Sequence, residues 1–91
     1  MTGSAKQIAW AESILADGRA TIAGNIERNR KFFEEYGDKM YEEHVKVWEQ
    51  IGVEFDKIVA KVTDASAIIN KRNQLSPNAL CRAFDQMMAH R

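Results

Sequence analysis

The chain has little of what chemistry usually needs. There is one cysteine in 91 residues, so no intramolecular disulfide and no thiolate metal cluster can form within a single chain. This fits a reducing compartment. No run approaches the ~18 consecutive apolar residues needed to span a bilayer, and the start, Met1–Thr2, carries no apolar signal core. A cytoplasmic protein with no membrane association is the expectation. Glycine-rich phosphate loops, nucleophile elbows and helical metal pairs of the His–x–x–x–His kind are absent too. Neither an enzyme nor a bound cofactor or metal is expected.

Charge of one sign is also missing, since 13 basic residues balance 13 acidic ones. The whole molecule therefore lacks the long-range positive field that draws nucleic acid or anionic membrane. Locally the balance is uneven: residues 38 to 64 carry four bases and seven acids, whereas residues 65 to 91 carry four bases and one acid. Such segments can attract each other across a hairpin or between subunits.

What is present is helical periodicity. Ile8, Ala11, Leu15, Gly18, Ile22, Asn25, Asn29 and Phe33 recur in steps of three and four between about Ser4 and Tyr36. Small residues crowd the first half, and Gly18 or Gly24 can mark a kink or a break, because glycine costs a helix interior about 1 kcal/mol relative to alanine. Tyr36-Gly37-Asp38 reads as a helix stop followed by a new N-cap, where the chain reverses. From Lys39 to Val62 the stripe Tyr41, Val45, Trp48, Ile51, Phe55, Ile58, Val62 defines the strongest helix.

Thr63-Asp64 can cap a further piece from Ala65 to Asn73, with the polar stretch Asn70 to Gln74 read as a turn. Ser76-Pro77 then begins a final helix that runs to about His90. No strand pattern occurs. The expectation is one all-α domain over residues 1–91: an antiparallel hairpin or bundle of two long amphipathic helices plus a shorter C-terminal one. So short a chain tends to leave an apolar stripe uncovered, and a homo-oligomer is expected to cover it.

The candidate sites are few. His44 has no second histidine at helical spacing, so a surface or interface role is the reading for it. Cys81 reads as a small buried residue beside Phe84. Arg28, Arg30 and Lys31 form the densest basic cluster, with Glu27, Glu34 and Glu35 placed to pair with them. Lys71, Arg72 and Arg82 form a second basic group with almost no acid nearby, an alternative anion-binding site. Asn25 and Asn29 occupy stripe positions where apolar residues belong. Either they pair on an oligomer seam and fix its register, or the stripe drifts and leaves both outside. Trp10 lies off the Ile8, Ala11, Leu15 line, either as an exposed anchor for a partner or packed with Ile14 against the fold.

The segment Ala5-Lys6-Gln7-Ile8-Ala9-Trp10-Ala11-Glu12 resembles the start of small phage and bacterial helical proteins that open with a KQIAWAE-like helix. Thr63-Asp64-Ala65 through Ile69-Asn70-Lys71-Arg72 looks like a variant of a second motif of theirs, departing from it at Ser66 to Ile68. The resemblance implies a phage or mobile-element setting. The absence of chemistry together with the excess of amphipathic helix makes a non-enzymatic protein-binding module the expected function, and the phage setting that the resemblance implies makes it, by analogy with other small phage proteins, an anti-CRISPR-like inhibitor of a bacterial defence component. It would engage a host protein through Trp10, Arg28, Arg30 and Lys31. The alternatives are a nucleic-acid or nucleotide-binding helical module and a structural or assembly protein.

Overall fold

The computed structural model describes residues 1–90 and contains five helices: α1 (Ala5–Tyr36), α2 (Lys39–Ala60), α3 (Ala65–Asn70), α4 (Arg72–Leu75) and α5 (Pro77–Ala89). Each long helix starts where a polar side chain can serve the first free amides. Ser4 accepts from Gln7 N while the Gln7 side chain takes the Ser4 N–H, a complete capping box. Asp38 caps α2 by accepting from Met40 N, and Ser76 caps α5 by accepting from Ala79 N with Pro77 behind it. Gly37 ends α1 at φ 68°, a left-handed conformation that favours glycine, and its N–H bonds back to Phe33 O at 2.8 Å.

α1 is one unbroken helix of 32 residues, so neither Gly18 nor Gly24 interrupts it. Gly18 instead marks a close approach. A Cβ built there would lie 2.5 Å from Phe55 Cε2 and 2.8 Å from Leu75 O, so only glycine lets α2 and α4 pack this tightly on α1. Gly24 has nothing within 4 Å of such a Cβ and faces open space.

The two long helices pack antiparallel, and α3 to α5 fold back along them, α3 against α1 and α5 against both. The core joins Ala11, Leu15 and Ile22 of α1, Val47, Trp48, Ile51 and Phe55 of α2, Ala65, Ile68 and Ile69 of α3, Leu75 and Leu80. Val47 lies off the α2 stripe yet is fully buried, because α2 is covered by α5 as well as α1 and its inward face is broader than one line of residues.

The stretch Asn70 to Gln74, read from sequence as a turn, is a kinked helical continuation. Lys71 N donates to Ala67 O and Ile68 O, Ser76 N donates to Arg72 O, and fully buried Leu75 draws this segment against the core. The N-terminal segment is tied to the same region: Thr2 N donates to Thr63 O at 3.0 Å and Ala65 N to Thr2 O at 2.8 Å, forming an isolated parallel bridge. No described helix is long and apolar enough to cross a membrane.

Candidate functional site

The residues singled out from sequence do not form one site: Trp10 and Arg72 share one surface, Asn25, Arg28 and Asn29 line another, and Arg30 and Lys31 line neither. Trp10 and Arg28 are eighteen positions apart on one continuous helix, which places them about 27 Å apart along its axis. They cannot form one compact patch.

The first surface is built around Trp10. Its side chain lies on the outer side of α1 and stays 51% exposed. Arg72, at the start of α4, sets its guanidinium carbon 5.5 Å from the centre of the Trp10 ring, and its Nη1 donates to Ile69 O at 2.9 Å. The indole face and the carbonyl thus hold the guanidinium in one orientation, a favourable cation–π geometry. Beside it opens a shallow groove of about 250 Å³ lined by Ile14, Asp17, Arg72, Asn73, Ser76 and Pro77. Sequence reasoning placed Trp10 and Arg72 in two unrelated groups. The fold brings them together because α3 packs against α1 and delivers α4 to its flank.

The second surface is a cleft of about 340 Å³ between α1, α2 and α5. Phe32, Tyr41, His44, Trp48 and Phe84 supply its aromatic wall, and Arg28, Asn25, Asp85 and Cys81 its polar and small positions. The wall is a chain of ring contacts. Tyr41 meets His44 edge-on, His44 meets Phe84 edge-on with centroids 5.2 Å apart, and Trp48 stacks on Phe84 at 5.1 Å. At the hairpin end Phe32 and Tyr41 approach to 5.3 Å, and Tyr36 joins both while remaining exposed.

The basic cluster of α1 does not act as a unit. Arg30 sits 3.5 Å from Glu49 on α2 and Lys31 sits 3.3 Å from Glu27, whereas Arg28 turns into the cleft and has no ion-pair partner among the described residues. The two ion pairs are exposed and contribute little stability. Lys71 lies at the junction of α3 and α4, Arg72 on α4 and Arg82 on α5, and of these Arg72 is committed to Trp10 and Ile69 O.

Asn25 and Asn29 have different surroundings. Asn25 is half-buried and its amide donates to Thr21 O at 2.7 Å, which leaves its side chain at the cleft. Asn29 is buried; its Nδ2 donates to Asn25 O at 2.7 Å and its Oδ1 meets His44 Nδ1 at 3.2 Å. Since the Asn29 amide nitrogen is spent on a carbonyl, the oxygen faces the imidazole and His44 Nδ1 is the donor. His44, read from sequence as a surface or interface residue, is in part an interior link between α2 and α1. Spacing alone could not find this pair because its members lie on different helices. Cys81 is exposed at the cleft rather than buried beside Phe84. Comparison of the chain with protein-family models, curated proteins and solved structures finds no match.

Proposed function

We propose that the chain is a non-enzymatic binding protein that engages a bacterial partner protein through the Trp10–Arg72 surface. The observation that carries this reading is the half-exposed indole of Trp10 held against an oriented guanidinium. Tryptophan and arginine dominate the energetics of protein interfaces. Here both stand ready without further ordering, which lowers the entropy lost on binding. Arg72 spends one N–H on Ile69 O and has no acid partner among the described residues, so its other donors suit a carboxylate on the partner. The adjoining groove walled by Ile14 and Pro77 suits an apolar side chain next to that carboxylate.

The setting implied by the N-terminal motif is a phage or mobile element, with the protein acting in the bacterial cytoplasm as an inhibitor of a host defence component. Nucleic acid is a weaker reading, since the chain is neutral overall and Arg30 and Lys31 already face acids.

The test is affinity capture of the tagged protein from bacterial lysate, with nuclease treatment and mass spectrometry, followed by binding measurements on the purified partner. Trp10→Ala and Arg72→Ala are each expected to weaken binding by about tenfold or more, the scale of interface anchor residues. Undiminished binding by both variants would remove this surface from the reading. Recovery of nuclease-sensitive material alone would favour the nucleic-acid module.

A further inference from the structure

The aromatic cleft at the other half of the molecule carries a charge pattern of its own. Arg28 on α1 and Asp85 on α5 both line it, both are exposed, and neither forms an ion pair with the other or with any described residue. Lining the cleft with them is apolar surface that the fold leaves open, the partly exposed rings of Phe32, Tyr41 and Phe84; exposed Tyr36 contacts the first two rings, and Met40, also exposed, lies at the same hairpin end of the molecule.

A surface that holds one unpaired base and one unpaired acid around an apolar centre is complementary to itself. Across a twofold axis, the Arg28 of one copy can meet the Asp85 of the other, and the same contact is made a second time by symmetry. The molecule also carries surface to spare. Its accessible area is 6018 Å², against about 5,400 Å² for a compact monomer of its 10.4 kDa mass. Its radius of gyration is 14.7 Å, against about 12 Å for a compact chain of this length. A standard interface covers about 800 Å² on each partner, which one side of a body 48 Å long can supply. Zero net charge means that two copies do not repel each other at long range.

We infer that the occupant of this cleft is a second copy of the chain, docked about a twofold axis with reciprocal Arg28–Asp85 ion pairs flanking the aromatic centre. Asn25, at the same cleft, lies on the interface, whereas Asn29 is engaged with His44 of its own chain. The inference is independent of the Trp10–Arg72 reading, because that surface lies on the other half of α1 and stays free in such a dimer.

The experiment is sedimentation equilibrium of the purified chain, of Arg28→Asp, of Asp85→Arg, and of the two variants mixed in equal amounts. Circular dichroism confirms that the exposed substitutions leave the helices intact. The wild type is expected to be a dimer. Each variant places like charges opposite one another twice per dimer, and dissociation is expected to strengthen by about tenfold or more. In the mixture a chain with two acids meets a chain with two bases, and the dimer returns. A contact within one chain cannot produce that rescue. A monomeric wild type, a dimer retained by both single variants, or variants that fail to rescue each other would each overturn the inference. Assembly beyond two copies would overturn it as well, since a closed twofold contact stops there.

Discussion

His44 donates from Nδ1 to Asn29 Oδ1 across the boundary between α2 and α1, over a distance of 3.2 Å. The Asn29 amide nitrogen donates in turn to the Asn25 carbonyl, so both the nitrogen and the oxygen of a buried polar side chain on the inward stripe of α1 find a partner within the chain. This hydrogen bond sits at the base of the aromatic cleft, where the His44 ring also meets Tyr41 and Phe84. It therefore links the polar part of the core to the shape of the surface above it.

The first prediction concerns that link. Asn29→Ala and His44→Ala are each expected to destabilise the fold by about 1–3 kcal/mol, because each leaves a partner group short of its hydrogen bond. The double variant is expected to lose less than the sum, with a coupling of about 0.5–1.5 kcal/mol. Urea unfolding of the four proteins measures this directly. Strict additivity would mean that the two side chains do not stabilise each other.

Two glycines of one helix are expected to respond in opposite directions. Gly18→Ala drives a methyl group into the Phe55 ring and the Leu75 carbonyl, and overpacking of this kind costs about 1–3 kcal/mol despite the better helix propensity of alanine. Gly24→Ala meets nothing and is expected to stabilise by about 0.4–1 kcal/mol. Thermal unfolding of both variants separates close packing from propensity; equal shifts would contradict the close approach at Gly18.

Trp48 offers a direct probe of the core beneath the cleft. It is 2% exposed and stacks on Phe84. Phe84→Ala is expected to cost about 3 kcal/mol and to shift the Trp48 emission towards that of hydrated indole. The measurement is best made in a Trp10→Phe background, where Trp48 is the remaining tryptophan. An unchanged emission maximum would show that α5 does not shield this ring.

The bridge at the N-terminal segment provides the last test. Thr2→Pro removes the N–H that bonds to Thr63 O, a loss of about 0.5–1.5 kcal/mol. Faster hydrogen exchange is expected at the Ala65 amide, which donates to Thr2 O. Unchanged protection at Ala65 would separate that amide from the bridge.

Much of the architecture was legible in the chain because local rules and the global fold agree. The turn at Gly37-Asp38, the cap at Ser76-Pro77 and the inward stripe of α2 follow from neighbours three or four positions apart, and sequence displays that spacing openly. The continuity of α1 was not legible, since the propensity cost of Gly18 argues for a break while its packing against Phe55 and Leu75 repays that cost. Nor was the helical turn at Arg72–Leu75, whose polar residues read as a loop until the burial of Leu75 is known.

The sequence by itself determined an all-α chain with two long amphipathic helices, capped ends and a balanced charge, because these depend on short-range periodicity and composition. Only the tertiary structure decided which side chains meet across helices. It set Arg72 against Trp10, tied His44 to Asn29, separated Arg28 from Arg30 and Lys31, and placed Arg28 and Asp85 on one cleft. Those pairings depend on the rotation of each helix about its axis and on the path that returns α3 to α5 along the hairpin. Both are settled by the packing of the shared core, which no local stretch of sequence contains.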